Sequence, residues 1–162
     1  MATWNGIRKK LETVYLAERL RGRIQYFATT YRGSHDREGR AAILLDGKEI
    51  ISGGYYKRWA VEHLFPKDEK YEERMRQEIS FMDDTALKLG VFDQRSFYCA
   101  FNEFDNQSIE DSLKSDNLIV KIFAVLDSRV GKRRLLAMQD EISKEPEMFQ
   151  IFYSIRKEAE TI

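Results

Sequence analysis

The dipeptide Asp46-Gly47 constrains this chain more than any other feature, because it sits between two short apolar runs, RAAILLD (40–46) and KEIIS (48–52). Asp-Gly readily takes positive φ at both central positions of a two-residue turn, whose twist matches that of paired strands. An antiparallel hairpin is therefore expected here. Two strands alone are marginal in water, and RIQYFATTYR (23–32), rich in β-branched and aromatic residues, supplies a third. The link between the first two strands, GSHDREG (33–39), is polar and bounded by glycine at both ends. A three-stranded meander has one apolar face that another layer must cover.

The rest of the chain reads as that cover. Trp4, Ile7, Leu11 and Val14 recur at helical spacing, with Leu16 and Leu20 beside them, which predicts a helix over 3–20. Thr3 suits its N-cap and Gly22 its C-terminal stop. After Gly53-Gly54 the pattern is helical. Met75, Ile79, Met82, Ala86 and Leu89 form one stripe over 70–89, ended by Gly90. A short helix starting at Asp93 carries Phe97, Phe101 and Phe104, and Ser108-Ile109-Glu110-Asp111 resembles a capping box at the head of the next. LIVKIFAVL (118–126) is apolar nearly all round, so periodicity alone leaves helix and strand both open. Asp116 and Asn117 before it, and the helical pattern after it, favour a central buried helix. Helices near 129–144 and 146–160 complete the chain, with Pro146 in the first turn of the last. The expected class is α+β: an N-terminal helix, a three-stranded antiparallel meander, and a helical C-terminal two-thirds packed on one sheet face.

With 162 residues, 1–162 reads as a single domain with a core of its own. Lys plus Arg and Asp plus Glu are equal at 27 each, which argues against bulk attraction to nucleic acid or anionic lipid. The charge is unevenly spread: residues 1–33 hold seven basic and two acidic side chains, residues 67–128 eight basic and fourteen acidic. Two histidines and one cysteine leave little for a metal site and nothing for a disulfide framework, so no metal and no cofactor are expected. No secretory signal or membrane-spanning run is visible, which points to a soluble protein of the cytoplasm with no membrane partner.

Three stretches carry a family resemblance: Tyr31-Arg32 through His35-Asp36 and Gly39-Arg40 into DGKEI (46–50); LDSRVGKRRL (126–135); and PEMFQIFYSIRKEAE (146–160). Together they resemble an uncharacterised family of small bacterial cytosolic proteins with no assigned activity. The similarity runs nearly end to end and is weakest over 53–92. It implies a bacterial, single-domain protein and carries over no functional residue.

Candidate surfaces follow from chemistry. Arg32, His35, Asp36, Arg37 and Arg40 crowd the connection between the first two strands, where arginine forks suit phosphate or carboxylate and an imidazole can titrate near neutral pH. A solvated loop whose arginines pair with neighbouring carboxylates is the plainer reading. Arg129, Lys132 and Arg133 would share a face of one helix, and acidic residues between 103 and 116 are their competing internal partners. RVGKRR lacks the glycine spacing and strand–loop–helix context of a phosphate-binding loop. Tyr26, Phe27 and Tyr31, with Tyr55, Tyr56 and Trp59 beyond the double glycine, form an aromatic set of which half is expected in the core. Cys99, among aromatics, reads as a buried small hydrophobe. The pairs Glu72-Glu73 and Asp83-Asp84 read as a solvated face.

No catalytic residue is assigned. The expected function is a non-catalytic interaction or regulatory protein that binds a macromolecular partner, most simply a protein, through the exposed sheet face, with Tyr31 and Trp59, and the 33–40 loop. A nucleic-acid or phosphorylated-ligand binder using the Arg/Lys clusters is the alternative, and an enzyme of unknown class comes third.

Overall fold

The computed structural model describes residues 2–31, 39–54 and 92–162. The expected hairpin is present: strands β1 (Ile24–Thr30), β2 (Gly39–Leu45) and β3 (Lys48–Gly54) form one antiparallel sheet in the order β1-β2-β3. Asp46 and Gly47 take φ of 50° and 82°, both left-handed as a type I′ turn requires. Arg23 clamps the turn with a two-pronged ion pair to Asp46, both N–O distances being 3.0 Å. The register pairs Tyr26 with Ile43 and Phe27 with Ala42, so alternate residues of β1 face opposite sides. Ile24 and Tyr26 are buried on one side and Gln25 and Phe27 are exposed on the other.

Helices cover the Tyr26 side. Helix α1 (Trp4–Lys9) is capped by the Thr3 hydroxyl, which accepts from the Gly6 amide at 3.2 Å. It widens into a π-helix over Lys10–Tyr15 and then ends, short of the expected 3–20. The reason is competition for the backbone. Leu16 forms an isolated antiparallel bridge with Asp127, the Ala17 amide donates to the Leu126 carbonyl at 2.9 Å, and the Ser128 amide donates to the Tyr15 carbonyl at 2.7 Å. The wider π turn also rotates Val14 off the apolar stripe, leaving it 61% exposed. A 3₁₀ turn at Glu18–Leu20 buries Leu20, and Gly22 (φ +81°) turns the chain into β1 instead of ending a long helix.

Helix α2 (Gln94–Asp105) starts at a full capping box between Asp93 and Ser96 and buries Phe97, Ala100, Phe101 and Phe104. Helix α3 (Ile109–Leu113) is capped by Ser108, whose hydroxyl accepts from the Asp111 amide at 3.1 Å. The apolar run forms helix α4 (Leu118–Val125), buried on every side except at Lys121, with Asn117 as its N-cap. Phe123 of α4 stands edge-on to Tyr26 of the sheet at 5.5 Å and meets Phe97 and Phe104 of α2 at 6.0 and 5.7 Å. This aromatic cluster joins sheet and helices into one apolar core. The helix expected over 129–144 is divided into α5 (Lys132–Ala137) and a 3₁₀ segment (Gln139–Lys144). Helix α6 (Glu147–Ala159) follows, with Pro146 one position earlier than expected, at the N-cap. The architecture is α+β, with an N-terminal helix, a three-stranded sheet and helices in the C-terminal part. The helix expected over 70–89 lies outside the described residues.

Candidate functional site

Phe27 is where the face of the sheet opposite Tyr26 departs from a plain polar surface. The alternation that buries Tyr26 turns Phe27 outward, where it remains 39% exposed and separate from the core. Its cross-strand partner is the small Ala42, and Arg40, two positions along β2 on the same face, lays its guanidinium 5.3 Å from the Phe27 ring centre. The same guanidinium pairs with Glu49 of β3. One aromatic ring, one guanidinium and one carboxylate thus span all three strands. Tyr31, just past the end of β1, is 51% exposed. Gly39 begins β2 against the Gln94 side chain of α2, and a Cβ there would collide with it, which fixes where this edge of the sheet meets the helix. Arg32, His35, Asp36 and Arg37 of the loop, and Tyr55, Tyr56 and Trp59, lie outside the described residues.

The basic segment is organised differently from its expected single helical face. Arg129 lies in the turn before α5 and does not share a helix with Lys132 and Arg133. The cause is Asp127, a fully buried side chain that accepts from the Arg129 amide at 2.7 Å and holds its guanidinium by two bonds of 3.0 and 2.8 Å. The guanidinium also lies 5.1 Å from the ring of Tyr15 and 5.6 Å from that of Phe104. Hydrogen bonding to Asp127 raises the Arg129 pKa further. Tyr15 donates to Asp105, which also meets Lys10 at 3.2 Å. Burial, reinforced by Asp105, pushes the Tyr15 phenol up to about 12. Arg134 reaches Glu110 at 2.8 Å, and that bond holds the Glu110 carboxyl below its usual range. Lys132 and Arg133, at the start of α5, are exposed and make no side-chain bond among the described residues.

Cys99 corrects the expectation of burial. It is exposed, since the face of α2 that buries Phe97, Phe101 and Phe104 leaves position 99 on the opposite side. The helical period of those three phenylalanines already carried that information. Arg156 is the residue that sequence reasoning missed. Its buried guanidinium donates to the carbonyls of Val125 at 3.1 Å, Asp127 at 2.7 Å and Val130 at 2.7 Å, and Nε meets Glu160 at 3.1 Å. LDSRVGKRRL and PEMFQIFYSIRKEAE, two of the stretches that carry the resemblance, are joined by these bonds. Arg156, Asp127 and Arg129 therefore have defined structural work.

The sequence pattern of the SF0329 protein family matches residues 3–157. The chain belongs to the SF0329 protein family. The match spans all the described secondary structure up to the middle of the last helical turn, including both stretches tied by Arg156. No curated protein and no solved structure matches the chain. Among the described residues no helix is long and apolar enough to cross a membrane, and no group of three or more His, Cys, Asp or Glu side chains is placed to hold a metal ion.

Proposed function

We propose that this SF0329 family member is a non-catalytic interaction protein of the bacterial cytoplasm that binds a protein partner through the outer face of its sheet. The carrying observation is the Phe27–Arg40–Glu49 unit: an exposed ring held under a guanidinium on a three-stranded scaffold, with Tyr31 exposed just past the end of β1. Aromatic and arginine side chains contribute most of the energy at protein interfaces, and a ring already fixed by its neighbours loses little entropy when a partner covers it. The alternative, a phosphate-binding surface on the basic segment, has lost one member: the Arg129 fork is already on Asp127, leaving Lys132 and Arg133.

The test is affinity recovery from nuclease-treated bacterial lysate with wild type and a Phe27→Ser, Arg40→Glu double variant. Both substitutions are outside the core, so circular dichroism should show the variant folded. The reading expects one recurring protein partner that survives nuclease and is lost with the variant. Recovery that is nuclease-sensitive, or equal in wild type and variant, overturns it.

A further inference from the structure

Asn5 is the one asparagine of this chain that precedes a glycine; Asn102, Asn106 and Asn117 precede Glu103, Gln107 and Leu118. The backbone nitrogen after an asparagine can attack that residue's own side-chain carbonyl and close a cyclic imide, and a following glycine leaves the approach unhindered. Asn5 and Gly6 are both exposed, and the Asn5 carboxamide makes no hydrogen bond among the described residues. Water reaches the electrophile and the nucleophile alike.

Two restraints oppose ring closure, and one of them acts on the nucleophile itself. Asn5 lies in α1, and the imide ring needs a ψ far from the helical value. The Gly6 amide, which must lose its proton to attack, donates that proton to the Thr3 hydroxyl at 3.2 Å. The turn is pinned on either side, since Trp4 stacks 6.1 Å from Phe97 and Ile7 is buried. Between them the Gly6 amide is held by that one exposed bond. Glycine inside a helix weakens it, and end turns open locally far more readily than the whole fold. Asp46-Gly47 is a related dipeptide with a different outcome. Arg23 holds both Asp46 carboxylate oxygens at 3.0 Å, and an ionised carboxylate is a poor electrophile.

We propose that Asn5 is a site of spontaneous deamidation, gated by the Thr3 cap on the Gly6 amide. When the first turn opens, solvent base takes the Gly6 amide proton and the nitrogen bonds to Asn5 Cγ. The Cγ–Nδ2 bond breaks, and its nitrogen leaves as ammonia with a proton returned from solvent. Water then opens the imide at either carbonyl, giving aspartate or isoaspartate, so that one water is consumed for each ammonia released. Aspartate at position 5 suits the positive end of the helix. Isoaspartate routes the backbone through the side-chain methylene, which shifts Trp4 relative to Ile7 and loosens α1 from the core.

The test ages the full-length chain in mildly alkaline buffer. Peptide mapping by mass spectrometry follows amide loss at each asparagine, and isoaspartyl methyltransferase labelling marks the rearranged product. Asn5 should react before Asn102, Asn106 and Asn117, with isoaspartate at position 5 and none at 46. Thr3→Ala should raise the folded-state rate about fivefold, the population change that loss of an N-cap produces, and leave the rate in urea unchanged. Gly6→Ala, whose Cβ comes no closer than 3.4 Å to Thr3 Oγ1, should slow the folded-state rate by about an order of magnitude. Thr3 and Gly6 are exposed, so neither change touches the core. Amide loss at Asn5 no faster than at the other asparagines, isoaspartate at 46 in place of 5, or a folded Thr3→Ala rate equal to wild type overturns the proposal.

Discussion

Asp127 and Tyr15 show how individual side chains acquire work that their sequence neighbours do not announce. Asp127 is fully buried and its charge is compensated by Arg129, two residues later, which in turn stacks on Tyr15 from the N-terminal segment. Arg129→Glu would set a second carboxylate against the buried one, and a cost of about 3–5 kcal/mol is expected in urea denaturation. Lys132→Glu with Arg133→Glu should change stability by no more than about 0.5 kcal/mol each, since neither side chain has a partner among the described residues and acidic groups suit the start of a helix. Equal destabilisation by the two variants would contradict this division. Tyr15 provides a pH signature. Its phenol ionises near 10 in the unfolded chain and is raised to about 12 in the fold. A raised pKa favours the protonated form in the folded state, so this contribution is whole below pH 10 and is lost as pH climbs toward 12. Melting temperatures measured across that window should fall, and Tyr15→Phe should fall less steeply than wild type.

At the scale of elements, the hairpin and the capped helices follow local rules, and the hairpin can be tested without disturbing packing. Gly47 has φ +82°, and a Cβ built there meets nothing within 4 Å, so a substitution acts through backbone strain alone. Gly47→Val should lower stability by roughly 1–3 kcal/mol, read as a shift of the denaturation midpoint without change of slope. Gly47→Asn, which tolerates left-handed φ, should cost distinctly less. An unchanged midpoint for the valine variant would mean that the turn takes another form in solution. The N-terminal helix is the contrasting element. Its cap at Thr3 follows from the sequence, but its end does not, because the bonds that stop it come from residues 126–128, more than a hundred positions away.

Across the whole molecule, Arg156 is the fastening point. Its guanidinium ties α6 to the C-terminal end of α4 and to the turn that pairs with Leu16, so one side chain links the last helix, the central helix and the N-terminal segment. Burial lowers its pKa, while Glu160 opposes that shift. Arg156→Met keeps much of the apolar stem and removes the donors, leaving three carbonyls and the Glu160 carboxylate without them. An expected loss of about 3 kcal/mol or more in urea unfolding follows from buried acceptors stripped of partners. A variant as stable as wild type would show that water replaces the guanidinium without penalty.

By itself, the sequence determined what depends on a residue and its near neighbours. Asp46-Gly47 specified the hairpin, Thr3, Asp93 and Ser108 the helix starts, and the spacing of Phe97, Phe101 and Phe104 the buried side of α2, even the exposure of Cys99. The outward turn of Phe27 was equally implicit in the period of two along β1. Only the tertiary structure decided where α1 stops and that Arg129 leaves its helical neighbours for Asp127. Turn dihedrals, caps and periodicity act within a few residues, through covalent geometry and local hydrogen bonds. Which distant carbonyl takes an amide, and which buried carboxylate takes a guanidinium, is a competition among groups that meet only once the core has closed.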